Sequence, residues 1–122
     1  MRGFRLSLCA LIAASSLTAL RARADDTAMA KARENYMSYC TKCHGEQGKG
    51  DGPGAAMLNP KPRDYTDCKT MQKKPDAELF KVISEGGDAA GMSADMQPWG
   101  GTLSDQEIHD LVKFIRGFCK PS

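Results

Sequence analysis

Cys40-Thr41-Lys42-Cys43-His44 constrains this chain more than any other stretch. Residues three apart share one face of a helix, so both thiols can be presented side by side, with a histidine directly after the second. A C-x-x-C-H run is the pattern of covalent haem attachment: each thiol forms a thioether with a haem vinyl group and the histidine binds the iron axially. Two other chemistries use paired cysteines. A redox C-x-x-C follows a strand in a βαβ unit, and a zinc site needs two further ligands at metal spacing; the sequence offers neither. The segment therefore calls for a helix that delivers two sulfurs and an imidazole to one pocket.

The chain begins with Arg2 and Arg5, runs through an apolar stretch from Leu6 to Leu20, and reaches Ala22-Arg23-Ala24 before Asp25. This order reads as a secretory signal with an A-x-A cleavage site, placing residues 1–24 in a leader and 25–122 in one mature domain. The apolar stretch is shorter than the roughly 20 residues that span a bilayer, which disfavours an uncleaved anchor. Leu8 stands before Cys9 where lipidation wants a small residue, so Cys9 is assigned to the discarded leader. Cleavage changes the charge balance. The full chain has 17 Lys and Arg against 15 Asp and Glu; the leader takes four arginines and no acid, leaving 13 against 15. No basic stripe survives to suggest a nucleic-acid partner. A domain this small, with 7% aromatic residues, is marginal if it must build a core alone, and a macrocycle would add apolar core.

Periodicity predicts a first helix over about 27–43, with Ala28, Ala32, Tyr36, Tyr39 and Cys40 three or four apart. Gly45, Gly48, Gly50, Gly52 and Gly54 then interrupt a polar run that ends in Asn59-Pro60-Lys61-Pro62, so about 45–74 is expected as loop, its glycines able to lie close to a flat macrocycle. That run lacks the Gly-Lys-Ser/Thr ending of a phosphate loop. A second helix is expected from Pro75 to Glu85, burying Leu79, Phe80, Val82 and Ile83, with Gly86-Gly87 as its stop. Ser104 and Glu107 form a capping-box pattern for a last helix, with Leu103 placed to staple onto Ile108. Ile108, Leu111, Val112, Ile115, Phe118 and Cys119 make its apolar stripe. No strand-like alternation occurs. The fold expected is all-α, three main helices with long loops wrapped around one covalently bound haem.

In this order of features the chain resembles the class I c-type cytochromes, over about 30–118. The resemblance implies the cytochrome c fold, in which the first and last helices cross and a methionine loop covers the second haem face. Tyr36, four before Cys40, matches the family's aromatic position; Ala32 stands where a glycine is usual, and Phe114 is the matching aromatic of the last helix. The resemblance gives Pro53 the carbonyl that accepts the His44 Nδ1 proton, which would leave Nε2 for iron. Met96-Gln97-Pro98-Trp99 resembles the family's methionine run, so Met96 is the expected sixth ligand and Met92 the reserve; Met29, Met37, Met57 and Met71 are outsiders. His109, on the first turn of the last helix, is read as a surface histidine rather than a second imidazole ligand. Arg63 and Trp99 are candidates for polar contacts to the haem propionates.

Cys68 and Cys119 remain as an even pair in an exported chain, and a disulfide is their simplest use. A redox-active pair or a covalent link to another subunit would use them otherwise. The expected function is one-electron transfer by a periplasmic, monomeric carrier with transient redox protein partners, no membrane anchor after cleavage and no catalytic residue. The alternatives are a ligand sensor or enzyme with a labile methionine, and an electron-input subunit of a membrane redox complex.

Overall fold

The computed structural model describes residues 6–119, and their side chains from 18 onward. Arg2, Arg5, the side chain of Cys9 and the closing Pro121 lie outside the described residues. Five α-helices follow in order: α1 Leu6–Tyr39, α2 Thr41–His44, α3 Cys68–Met71, α4 Asp76–Glu85 and α5 Asp105–Arg116. Two 3₁₀ turns, Ala55–Met57 and Asp88–Ala90, lie in the connections. There is no strand among the described residues, and no helix among them is long and apolar enough to cross a membrane.

The first helix differs from expectation at both ends. It runs unbroken through Ala24, and it stops at Tyr39. Cys40 then departs from regular geometry at φ −110°, and α2 follows as one short turn whose buried residue is His44. Tyr36 locks this junction. Its ring is fully buried, and its hydroxyl donates to the Gly45 carbonyl at 2.7 Å just beyond α2.

The last helix is built as its sequence dictates. Ser104 Oγ accepts from the Glu107 N–H at 3.3 Å, and the Glu107 carboxylate accepts from the Ser104 N–H at 3.0 Å. Together they satisfy donors that the first turn leaves unpaired. Ile108, Leu111, Val112 and Ile115 are buried along one face, in one core cluster with Tyr36 of α1, where Ala32 is buried as well. The Tyr36 ring packs on Phe114 and Phe118 at centroid distances of 5.3 and 5.2 Å, and such aromatic pairs add about 0.5–1.5 kcal/mol each beyond their buried area. Buried Asn35 reaches the Glu107 carboxylate at 3.4 Å, joining α1 to the cap of α5.

In α4, Leu79 and Ile83 are buried as expected, whereas Phe80 and Val82 are only half-buried. Val82 opens on a cleft, and Phe80 stacks on His109 with centroids 4.5 Å apart. The loop over 45–74 also holds more structure than its composition suggests. Asp67 caps α3 by accepting from the Thr70 N–H at 3.2 Å, and these bonds from Thr70 hold its carboxyl below the usual range. Arg116 reaches from the end of α5 to Asp76 Oδ1 at 2.7 Å and to the carbonyls of Met71 and Lys74, tying the loop to the helix pair. Beside it a disulfide joins Cys68 to Cys119 across 51 residues.

Candidate functional site

The site is built on α2, a single helical turn whose carbonyls would otherwise face water. The glycine-rich loop turns back along it. Gly50 N–H donates to the His44 carbonyl at 2.8 Å, Gly52 to Cys43 at 3.1 Å and Gly54 to Lys42 at 2.8 Å. A side chain on Gly52 would run into the carbonyls of Thr41 and Lys42, which is why this close approach needs glycine. The glycines were expected to serve close approach to a macrocycle; Gly52 instead makes room for the backbone of α2.

Cys40, Cys43 and His44 line a cleft of about 910 Å³ whose walls also include Tyr36, Leu79, Val82, Ile83, Leu111 and Ile115. Among the described residues Cys40 and Cys43 are the free cysteines, both half-buried. Burial, with a smaller contribution from Cys43, pushes the Cys40 thiol up to about 12. A redox dithiol needs the opposite, a thiol depressed toward neutrality.

His44 is buried, and burial lowers its pKa against the opposing pull of a backbone carbonyl. That carbonyl belongs to Arg63, 3.2 Å from Nδ1. A carbonyl only accepts, so the proton sits on Nδ1 and the Nε2 lone pair is left in the ring plane. The expected acceptor was Pro53, and the structure corrects this. Its neighbours Gly52 and Gly54 are spent on the outer carbonyls of α2, so Pro53 is exposed and lines a separate surface hollow with Thr41, Lys42 and Asp51.

Tyr65 was missed. Its ring stacks on His44 with centroids 4.6 Å apart and planes 13° apart, and its hydroxyl lies 3.2 Å from Nε2. Because the planes are nearly parallel, that hydroxyl approaches from the ring face and does not occupy the in-plane lone pair. Burial raises its own pKa well above the ordinary tyrosine value. No periodicity marks Tyr65; an aromatic residue closing the Pro62-Arg63-Asp64 loop was the one available signal.

The loop after α4 supplies the remaining wall. Met96 is half-buried, packs against the core and lines the cleft. Its carbonyl accepts from the N–H of Gly87, two residues past the end of α4, at 2.8 Å, and beyond Pro98 the N–H groups of Trp99 and Gly100 donate to the α4 carbonyls of Ile83 and Ser84 at 2.9 and 3.0 Å, which pins the loop to the helix. Met92 also lines the cleft but is 36% exposed. Trp99 lines it too, its ring tilted 40° against that of Tyr39 with centroids 5.0 Å apart. Arg63 is exposed and lines the cleft, and its carbonyl serves His44. Met57 lies on the cleft rim at 89% exposure and Met71 is buried core. His109 is exposed and outside the cleft.

These residues suit a flat iron macrocycle: a mainly apolar cleft near the upper end of the roughly 300–1,000 Å³ range of cofactor sites, two thiols and one imidazole on a single turn, and a thioether in the same cavity. Residues 27–115 match the family described as cytochrome c oxidase, cbb3-type, subunit III. The chain belongs to this family. It is a small class I c-type cytochrome with the all-α cytochrome c fold, and its cofactor is covalently bound haem c. Among solved structures it is similar to the KustC0563 c-type cytochrome, at 27% identity and a TM-score of 0.59, over 72% of this chain and 96% of that one. No curated protein matches it. The cytochrome c domain supports haem-based electron transfer as its activity.

Proposed function

We propose that this cytochrome is a soluble, periplasmic one-electron carrier whose haem is attached through Cys40 and Cys43 and whose iron is held by His44 and Met96. Bound haem c would supply a one-electron redox centre, reduced by a donor partner and reoxidised by an acceptor partner. Met96 carries the proposal: it lines the same cleft as His44, on a loop pinned to α4 by backbone hydrogen bonds. Two protein ligands leave no open coordination position, so transfer needs little rearrangement and no catalytic acid–base pair. A thioether ligand favours ferrous iron and raises the potential compared with two imidazoles. Residues 1–24 act as a cleaved leader, and the exported protein begins at Asp25. Partners dock transiently on a patch below about 1,200 Å².

Optical spectroscopy of the ferric protein tests the ligand set. Met96→Ala abolishes the far-red sulfur-to-iron charge-transfer band, while Met92→Ala retains it; the reverse pattern transfers the role to Met92. A high-spin wild-type spectrum, or a band displaced by added small ligands, would instead support a sensor or enzyme.

The family description favours one second reading, an electron-input subunit of a membrane oxidase. Size exclusion of the native extract separates the two. A carrier elutes at the mass of the mature chain, and a subunit elutes with its complex.

A further inference from the structure

The hydrogen bond from Nδ1 to Arg63 fixes the direction in which the His44 ring points, but one bond along one axis leaves the ring free to tilt. A flat surface against its face removes that freedom. Tyr65 supplies the surface, and Phe118 backs it: the Tyr65 and Phe118 rings are stacked, with centroids 6.4 Å and planes 15° apart. His44, Tyr65 and Phe118 thus lie near-parallel in one aromatic row, the His44–Tyr65 pair close and the Tyr65–Phe118 pair displaced.

Both rings that support His44 are tethered. Tyr65 N–H donates to the Gly48 carbonyl at 2.6 Å, and Asp64 Oδ1 accepts from the Thr66 N–H and hydroxyl at 2.8 and 2.6 Å, closing the turn around it. Gly48, at φ 72°, lies so close beneath Phe118 that a Cβ there would sit 2.8 Å from the ring. The disulfide completes the clamp, because Cys68 is three residues from Tyr65 and Cys119 is next to Phe118.

We infer that Tyr65, braced by Phe118 and held in place by the Cys68–Cys119 bridge, is the positioning residue that sets the orientation of the His44 imidazole over the haem. The inference rests on the reading of His44 as an axial ligand. It gives the disulfide a role in the electronic properties of the site as well as in stability. Loss of the stack lets the ring tilt and weakens the Nδ1 bond, lowering ligand basicity and favouring ferrous iron.

The test compares holo-cytochromes: wild type, Tyr65→Phe, Tyr65→Leu and Cys68→Ser/Cys119→Ser. The ferric proteins are read by the proton NMR shifts of the haem methyls, which report the plane of the axial imidazole, and by midpoint potential. Tyr65→Phe keeps the wild-type methyl order. Tyr65→Leu changes that order and raises the potential, and the double serine variant moves both in the same direction by less. If Tyr65→Leu does not retain haem, Phe118→Leu carries the same expectation. Leucine and double serine variants that lose thermal stability while keeping the wild-type methyl order and potential would overturn the inference. A wild type whose haem spectrum shows no histidine ligation fails the ligand reading instead, before any variant is compared.

Discussion

The two terminal helices and the two long loops are held by different physics. The pairing of α1 and α5 is a matter of side chains: Tyr36, Ile108, Leu111 and Phe114 meet across a buried seam, and a capping box starts α5. The loops over 45–74 and 86–102 bury few side chains of their own. They are held by backbone bonds, such as Gly52 to Cys43 and Gly87 to Met96, and by tethers such as Arg116 and the disulfide. A helix seam gains its free energy locally and repeatedly along a stripe, whereas a loop must recover its chain entropy from a few distant contacts. The cleft lies between these two kinds of structure, so haem is expected to stabilise the loop half far more than the helix pair.

The strongest way to break that contrast is to remove the covalent haem. Cys40→Ala/Cys43→Ala should lose all haem to acidified organic solvent while the wild type loses none. Hydrogen exchange should then show amides of 45–74 and 86–102 near the fraying limit, with residues 28–39 and 105–116 still protected. Equal loss in both halves would mean that the seam too depends on the cofactor. Next in size is the bridge. Replacing Cys68 and Cys119 with serine should cost about 2–4 kcal/mol in denaturant unfolding of the holo-protein, an effect of the long loop it closes.

The smallest effect sharpens the other half. Ser104→Ala should cost about 1 kcal/mol by removing the cap of α5. Hydrogen bonds from the Ser104 N–H and hydroxyl, then from Asn35, hold the Glu107 carboxyl below its ordinary 4.5. Its stabilising contribution is therefore present above pH 4.5 and is lost as pH falls through the lowered folded value. Glu107→Gln should flatten that part of the acid limb in a thermal-melt series and leave neutral stability nearly unchanged, since Gln can still close the capping box.

Much of this arrangement was legible beforehand, and what was legible is local. Ser104 and Glu107 announce a helix start because both partners lie within one turn, and the stripe from Ile108 to Ile115 names its own buried face. The spacing of Cys40, Cys43 and His44 is that of one turn, and the structure brings their two thiols and imidazole to one cleft. Met96 and Trp99, singled out through resemblance rather than periodicity, both line the cleft. The exchange of Pro53 for Arg63 beside His44 was not legible, since any backbone carbonyl can accept and only the path of the loop selects one. Nor were α3, the reach of Arg116 to Asp76, or Tyr65.

The sequence by itself determined a covalent haem protein with a seam of two helices, because motif spacing and side-chain periodicity are properties of neighbours along the chain. Tertiary structure alone decided what surrounds His44. Its Nδ1 partner lies 19 residues away and its stacked ring 21 residues away, on a loop whose course is set by glycine approaches, a tyrosine amide bonded to Gly48 and a bridge to the far end of the chain. Contacts of that kind depend on where the folded backbone passes, and residue order does not encode that place locally.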